Sequence, residues 1–238
     1  MCEGARSRAI APNDARCVSV RRPSLCVEIG SGSGALITGL ALSLQHPVDR
    51  TGSRGEQPCP VERAQNDGGD EHDEDLTVCA PRPPECMFLA VDKNPDACGT
   101  TRRTLRSHGI KNSDCVRTSL VENLQVWGQV DVLIFNPPYV VTPPEEMEGC
   151  GISISWAGGQ DGRKVVDRFL PLVPRLLSKP NGVFYLVGIE ENHPDEIVQL
   201  LNPHGLEAVF SQRQECGIES LFVLKFSWRA DTSSNAKP

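Results

Sequence analysis

The sequence predicts an α/β protein with one seven-stranded, mostly parallel sheet between two layers of helices, the last strand being antiparallel. Short apolar runs alternate with helical stretches along the chain, which is typical of β-α-β units. A glycine-rich turn joins the first strand to the first helix. The last two predicted strands are linked by too few residues for a crossover helix, so we expect them to form an antiparallel pair.

The first strand is predicted over residues 25–29, followed by the loop Gly30-Ser31-Gly32-Ser33-Gly34 and a helix over 35–44. Strand, glycine loop and helix are the opening of a nucleotide-type β-α-β unit. Alternate glycines let a ligand approach the backbone, and the helix amino terminus offers free N–H donors. The spacing G-x-G-x-G differs from the G-x-G-x-x-G of dinucleotide binders, so the loop alone does not identify a ligand.

The second strand is predicted over 86–91 and ends at Asp92, and the next helix covers 96–107. When the acidic stretch before this strand is left out, Asp92 follows the glycine loop at about the distance where an acid binds ribose hydroxyls in this architecture. A short third strand is predicted over 115–118. A marginal helical turn is predicted over 120–126.

The fourth strand, 130–134, is followed by Asn136-Pro137-Pro138-Tyr139. Proline donates no ladder hydrogen bond and biases the preceding residue away from helix. Asn136 should therefore lie in an extended conformation beyond the carboxyl end of the strand, where open α/β sheets bind ligands. A rigid side-chain amide with an aromatic ring three residues later is suited to binding a planar polar group. The alternative is an ordinary end of a strand.

The remaining elements complete the sheet. A long loop over 140–154 leads to Trp156 and a glycine-rich segment, and connections of this length are usually functional or disordered. A helix over 163–178 should be kinked or split by Pro171 and Pro174. The other predicted elements are a strand over 182–188, a helix over 194–201 and two closing strands over 206–210 and 220–226.

Composition and charge divide the chain into one domain and flanking segments. A chain of 238 residues with 39% hydrophobic residues is long enough for one core, which we place at 25–228. Between Gln45 and Glu85, ten acidic residues and four arginines give a net charge of -6 out of the total of -7. We predict that this insertion, 45–85, is disordered, as are a leader over 1–24 and a tail over 229–238.

Several classes of function are disfavoured by the composition. The chain outside the insertion is nearly neutral, so it lacks the basic face that a phosphate backbone needs. The 10 cysteines are scattered without a C-x-x-C pair and the 5 histidines show no ligand spacing, so we expect no metal site and reduced thiols. No apolar run approaches the length of a membrane span.

A family resemblance follows from three motifs. These are Glu28-x-Gly30-Ser31-Gly32-Ser33-Gly34, Val91-Asp92-x-Asn94-Pro95, and Asn136-Pro137-Pro138-Tyr139-Val140-Val141-Thr142-Pro143-Pro144 together with Trp156-Ala157-Gly158-Gly159. The chain resembles the HemK family of class I S-adenosylmethionine-dependent methyltransferases, and within it the eukaryotic release-factor glutamine methyltransferases. Asn-Pro-Pro-Tyr alone also occurs in adenine-N6 methyltransferases of DNA and RNA; the Val-Val-Thr-Pro-Pro and Trp-Ala-Gly-Gly segments narrow the resemblance.

The resemblance implies a Rossmann-like class I methyltransferase fold, S-adenosyl-L-methionine as cofactor and N5-methylation of the glutamine in the Gly-Gly-Gln loop of the class I translation release factor, with lysine as a further acceptor. The implied catalytic residues are Asn136, Pro137 and Tyr139. The implied cofactor contacts are Glu28, Gly30, Gly32, Gly34, Asp92, Lys93, Ser119, Leu120 and Asn136. The implied substrate contacts are Asn136, Pro137, Pro138, Tyr139 and Trp156.

The family's catalytic subunit pairs with a small zinc-binding activator protein, so we expect a heterodimer, with residues 115–121 at the interface. Ser119 stands where the family usually has an acid, and residues 1–24 show no counterpart of the family's Tyr-x-Pro-x-Glu-Asp-Thr segment. We therefore expect weakened cofactor binding and a truncated or misassigned start.

Two alternatives stay open, an adenine-N6 nucleic-acid methyltransferase and a non-catalytic paralogue. We expect the protein in the cytoplasm, with the nucleus as a second compartment.

Overall fold

The computed structural model describes residues 22–45, 86–143, 157–217 and 219–230. Trp156 and nearly all of the predicted leader, insertion and tail lie outside these residues, so the statements about them remain predictions. No helix within the described ranges is long and apolar enough to cross a membrane.

The described residues form helices and strands that alternate along most of the chain. In order, they are β1 (Leu25–Ile29), α1 (Ala35–Gln45), β2 (Met87–Asp92), α2 (Pro95–Ser107), β3 (Ser113–Arg117), β4 (Val132–Phe135), β5 (Val140–Val141), β6 (Ala157–Gly159), α3 (Lys164–Phe169), α4 (Val173–Leu176), β7 (Val183–Ile189), α5 (Pro194–Leu201), β8 (Leu206–Cys216) and β9 (Glu219–Trp228). A 3-10 turn over Leu170–Leu172 separates α3 from α4, so the proline-containing helix is split as predicted.

Seven strands form the main sheet in the order β3-β2-β1-β4-β7-β9-β8. The five strands from β3 to β7 are mutually parallel, and β9 runs antiparallel to both of its neighbours. The predicted fold class is therefore confirmed. The strand order reverses between β1 and β4, and such a switch point opens a crevice at the carboxyl ends of the strands.

The core lies on both faces of this sheet, because neighbouring residues of each buried strand point in opposite directions. Cys26 of β1 packs in a cluster with residues of α1 and α2, whereas Val27 belongs to the larger cluster beneath α3, α4 and α5. The rings of Phe135 and Phe169 meet edge-on at 4.9 Å. This contact anchors the end of β4, the strand that precedes Asn136, against α3.

The described residues on either side of 46–85 lie towards the amino ends of the strands. Helix α1 begins beside the carboxyl end of β1 and runs back along the sheet to Gln45. Leu25 is paired with Met87, and the Met87 amide donates to the Ser24 carbonyl at 2.9 Å. Residues 46–85 are therefore bordered by two points that lie towards the amino ends of the strands.

Some local predictions were wrong. Residues 120–123 form a turn and 124–126 have no regular structure, in place of the predicted helical turn, because Leu120 and Asn123 have φ values of 51° and 64°, which are incompatible with a right-handed helix. The predicted loop after Tyr139 contains β5 and, later, β6 forms its partner. Strand β8 extends beyond residue 210 to Cys216, since its polar second half pairs with β9 through the backbone.

Candidate active site

The glycine loop lies at the switch point of the sheet. The amides of Gly30 and Ser31 donate to the Val91 carbonyl at 2.8 and 3.0 Å, which attaches the loop to the end of β2. Gly30 and Gly32 have φ values of 69° and 53°, where only glycine is unstrained. A Cβ on Gly32 would have nothing within 4 Å, whereas one on Gly34 would lie 2.9 Å from Thr101 of α2. Gly32 therefore faces open space, and Gly34 allows the loop to pack on α2.

Asp92 meets the glycine loop from the end of β2. One of its carboxylate oxygens accepts from the Gly32 amide at 3.0 Å, and the other accepts from the Asn94 amide at 2.8 Å. A carboxylate offers about four acceptor sites, so this half-buried group keeps acceptor capacity for the two hydroxyls of a ribose. The open side of the loop and the free acceptor capacity fit the nucleoside part of S-adenosylmethionine.

The other predicted cofactor residues lie beside Asp92. Lys93 is exposed, and its carbonyl accepts from the Arg117 side chain at 3.4 Å. Ser119 and Leu120 are half-buried in the turn after β3, which is held to β2 by a hydrogen bond from the Thr118 amide to the Asp92 carbonyl at 3.0 Å. Within the described ranges, no group of three or more His, Cys, Asp or Glu side chains is arranged to hold a metal ion.

Glu28 is a buried acid beneath the glycine loop, with 2% of its surface exposed. Its carboxylate accepts from the Ile37 amide of α1 at 3.1 Å. Burial raises the pKa of Glu28 to about 8, the Ile37 amide opposes this shift, and the charge of Asp92 adds to it. The carboxyl group is therefore largely protonated at neutral pH. It connects β1 to α1 by a hydrogen bond without carrying a full negative charge.

This pKa predicts a pH dependence of stability. A carboxyl whose folded pKa is raised stabilises the fold below its unfolded pKa, and that contribution is lost as the pH rises through about 8. We expect Glu28→Gln, which keeps the acceptor, to match the wild type in melting temperature at pH 5 and to exceed it at pH 8.5 by on the order of 5 °C. Scanning fluorimetry across this range checks the expectation, and parallel profiles would contradict it.

The Asn-Pro-Pro-Tyr residues follow β4 and contact the glycine loop. Asn136 is exposed, Pro137 is buried, and Pro138 and Tyr139 are half-buried. A Cβ built on Gly30 would lie 3.8 Å from the Asn136 carbonyl oxygen and 3.9 Å from the Phe135 ring. The two motifs, separated by a hundred residues of sequence, therefore meet at the carboxyl ends of β1 and β4, as the sequence predicted for a ligand site.

Strands β5 and β6 join the two segments that narrowed the family resemblance. Val140 pairs with Ala157 and Val141 with Gly159 in a parallel ribbon. The Thr142 amide donates to the Gly159 carbonyl at 2.9 Å, and the Thr142 hydroxyl accepts from the Gly159 amide at 3.0 Å. The Val-Val-Thr segment and the Ala-Gly-Gly segment therefore form one structural unit. Its second strand, β6, begins directly after Trp156 in the sequence.

The structure also shows polar residues that sequence reasoning did not assign to the site. Asn192 is buried, and its side-chain amide donates to the carbonyls of Tyr139 and Asp161. Arg163 forms ion pairs with Asp167 at 3.0 Å and with Glu196 at 2.6 Å. One signal was present in the sequence, because Asn192 follows the carboxyl end of a strand closely, as Asn136 does.

A seven-stranded sheet with one reversed strand, a glycine loop, an acid after the second strand and Asn-Pro-Pro-Tyr after the fourth are together the features of a class I methyltransferase. The comparisons with known proteins agree. The human methyltransferase HEMK2 is 45% identical over 146 residues, which are 60% of this chain and 67% of the relative. The eRF1 methyltransferase catalytic subunit mtq2 of Schizosaccharomyces pombe is 37% identical over 112 residues, 46% of this chain and 48% of the relative.

Among solved structures, the Mtq2-Trm112 complex of E. cuniculi contains a chain that superimposes with a TM-score of 0.52 at 19% identity, covering 89% of this chain and 88% of that one. No protein-family model matches the sequence. The similarity to HEMK2 over two thirds of its length establishes the relationship, and the chain belongs to the HemK family of methyltransferases.

Proposed function

We propose that the chain is an S-adenosylmethionine-dependent protein methyltransferase that methylates the side-chain nitrogen, N5, of the glutamine in the Gly-Gly-Gln loop of the class I translation release factor. The approach of the Asn136 backbone to the glycine loop carries the proposal, because it places the residue that would bind the acceptor beside a loop suited to a nucleoside. The names of the S. pombe and E. cuniculi proteins, which refer to eRF1, support this substrate. Under the proposal the protein acts in the cytoplasm, with the nucleus as a second compartment.

The cofactor is held by the residues at the ends of β1 and β2. Bound S-adenosylmethionine supplies an activated methyl group on a sulfonium sulfur. The carboxylate of Asp92 has acceptor capacity for ribose hydroxyls while it holds the Gly32 amide. The absence of side chains at Gly30 and Gly32 leaves the backbone accessible on the exposed side of the loop. Protonated Glu28 holds the start of α1 in place without adding a second full charge beside Asp92.

The residues after β4 hold the acceptor. A glutamine amide nitrogen is a weak nucleophile, because its lone pair is delocalised into the carbonyl. Two fixed acceptors, the Asn136 side-chain oxygen and the Pro137 carbonyl, accept hydrogen bonds from its two N–H groups and orient the nitrogen towards the methyl group. Correct orientation thus compensates for the low basicity of the nitrogen. Their dipoles also stabilise the positive charge that develops on nitrogen during transfer. The Tyr139 ring packs against the plane of the amide, and Pro138 restricts the backbone between them.

A parallel transfer assay tests the proposal. The full chain, copurified with an activator subunit, is incubated with methyl-labelled S-adenosylmethionine and either the release factor, a release factor with the loop glutamine changed to alanine, or DNA. We expect label only in the unmodified release factor. Label retained after the glutamine change would point to lysine or another acceptor, label in DNA to an adenine methyltransferase, and no cofactor binding to a non-catalytic paralogue. Each of these outcomes would overturn the assignment.

Cofactor binding gives a separate prediction. Asp92→Ala removes the acceptor for the ribose and leaves the Gly32 amide without its partner. Hydrogen bonds to a charged group contribute about 1.5–3 kcal/mol, so we expect the dissociation constant of S-adenosylmethionine to rise by about 10–100-fold. Calorimetric titration measures this change. Asp96→Ala, which removes the same charge at an exposed position on α2, is the control and should leave the affinity within about twofold. Equal losses in both variants would contradict the role of Asp92.

The open edge of β3 is the proposed docking site for the activator subunit. Strand β3 ends the order of the main sheet, and an exposed strand edge is a template for pairing with another chain. A cavity of about 520 Å³ borders it, lined in part by Arg102, Arg106 and Lys111. The E. cuniculi protein was solved in complex with Trm112. Coexpression with such a zinc-binding subunit should raise the soluble yield, and failure to form a complex on gel filtration would refute the proposal.

A further inference from the structure

The side chain of Asn192 connects three segments at the carboxyl end of the sheet. Its amide nitrogen donates to the Tyr139 carbonyl at 2.8 Å and to the Asp161 carbonyl at 3.0 Å. Its amide oxygen accepts from the Ile189 amide at 2.8 Å. With 2% of its surface exposed, this residue links the Asn-Pro-Pro-Tyr loop, the segment after β6 and the end of β7 by buried hydrogen bonds.

The packing around Asn192 leaves no space for a Cβ at two neighbouring glycines. A Cβ on Gly162 would lie 2.0 Å from the Tyr139 carbonyl oxygen and 2.3 Å from the Asn192 amide nitrogen. A Cβ on Gly188 would lie 2.9 Å from the Asn192 amide oxygen. Glycine is therefore required on two sides of this side chain. Such close contacts are lost when the polar group moves by a fraction of an ångström.

Two further features show that the backbone around Asn192 is constrained. Arg163, with 8% of its surface exposed, extends from the loop after β6 to Glu196 of α5 at 2.6 Å. His193, the residue after Asn192, has φ 53° and ψ 66°, a left-handed backbone conformation that is costly for a residue other than glycine. Conformations of this kind persist where the surroundings hold the backbone, and they cluster at functional sites.

We propose that Asn192 is a positioning residue for methyl transfer, which fixes the Tyr139 backbone and through it the acceptor site. Asn136 and Pro137 are connected to Tyr139 by a short proline-stiffened stretch, so a displacement of the Tyr139 carbonyl changes where these residues hold the substrate amide. The cofactor residues at the ends of β1 and β2 are not bonded to Asn192. This inference rests on the proposed function, because the proposed function assigns the binding of the acceptor amide to Asn136 and Pro137.

An isosteric substitution isolates this role. Asn192→Asp keeps the oxygen that accepts from Ile189 but removes both donors and places a carboxyl oxygen against the carbonyls of Tyr139 and Asp161. The matched control is the reverse exchange, Asp131→Asn. Asp131 accepts from the Ser24 and Leu25 amides and from the Ser178 hydroxyl, at the amino end of the same sheet and away from the acceptor site.

The experiment uses the full chain with its activator subunit and has two readouts. We expect Asn192→Asp to lower kcat for release-factor methylation by about 10–100-fold, the effect of roughly two lost hydrogen bonds, with the dissociation constant of S-adenosylmethionine within about twofold of wild type. Hydrogen exchange of the Thr142 and Gly159 amides should accelerate, while that of 26–29 should not. Asp131→Asn should lower the melting temperature without changing kcat measured well below it.

The outcomes separate this inference from the proposed function. If the wild type does not methylate the release factor, the proposed function fails. In that case the exchange data decide the structural claim alone, and unchanged exchange at Thr142 and Gly159 refutes it. If the wild type is active, the inference is refuted when kcat of the Asn192→Asp variant stays at the wild-type value, or when cofactor affinity falls as much as kcat, because Asn192 would then act through general stability.

Discussion

Replacement of Asn136 by alanine is expected to lower methylation of the release factor by at least about 1,000-fold, since removal of one preorganised dipole at a reacting centre typically costs 10²–10³ in kcat and this side chain also orients the nitrogen. Because Asn136 is exposed, its loss should leave the fold intact. Single-turnover transfer of labelled methyl groups measures the effect. Cofactor affinity should fall far less than the rate.

The control for this variant is Asn181→Ala. Asn181 is also exposed, but it precedes β7 and therefore lies at the amino end of the sheet, opposite the candidate site. Its substitution should leave the transfer rate within about twofold, as expected for a surface change away from special features. Transfer that survives Asn136→Ala at more than a tenth of the wild-type rate would refute the assignment of the acceptor site.

Gly162→Ala is expected to cause the largest loss of stability among the glycine substitutions at the site. Its φ of 65° strains any other residue, and the new methyl group would overlap the Tyr139 carbonyl oxygen, only 2.0 Å away. Strain of about 1–2 kcal/mol and overpacking of about 1–3 kcal/mol together predict a loss of about 2–5 kcal/mol in the free energy of unfolding. Urea denaturation measures it.

Gly109→Ala separates the two contributions. Gly109 has a similar φ of 69°, but a Cβ there would have nothing within 4 Å. Only the backbone strain remains, so this variant should lose about 1–2 kcal/mol in the free energy of unfolding. Equal destabilisation by the two substitutions would show that the segment around Gly162 moves aside, and that the close packing against Tyr139 does not fix the loop.

The sequence was sufficient for the parts of the fold where burial produces a local pattern. Strands β1, β2, β4 and β7 are buried on both faces, so they appear as short apolar runs, and their ends were predicted to within about two residues. The glycine loop and Asp92 could be placed because each follows such a run directly. Their meeting with Asn136 also followed, because the carboxyl ends of parallel strands share one edge of the sheet.

The parts that were missed depend on partners distant in sequence. Strands β5 and β6 contain two and three residues, too few to show an alternating pattern, and each exists because of the other. The second half of β8 is polar because the strand lies at the edge of the sheet. The sequence shows only that Asn192 closely follows a strand, and its three hydrogen bonds appear only once Tyr139, Asp161 and Ile189 have been brought together by folding.

The position at which residues 46–85 join the fold has an evolutionary consequence. Gln45 and Cys86 lie towards the amino ends of the strands, while the glycine loop, Asp92 and Asn136 lie at the carboxyl ends. For a flexible connection, each doubling of the length costs only about 0.6 kcal/mol of closure entropy. The length of this segment can therefore change without a direct effect on the residues of the site. A reporter domain could be inserted at the same junction without altering the residues that bind the cofactor and the acceptor.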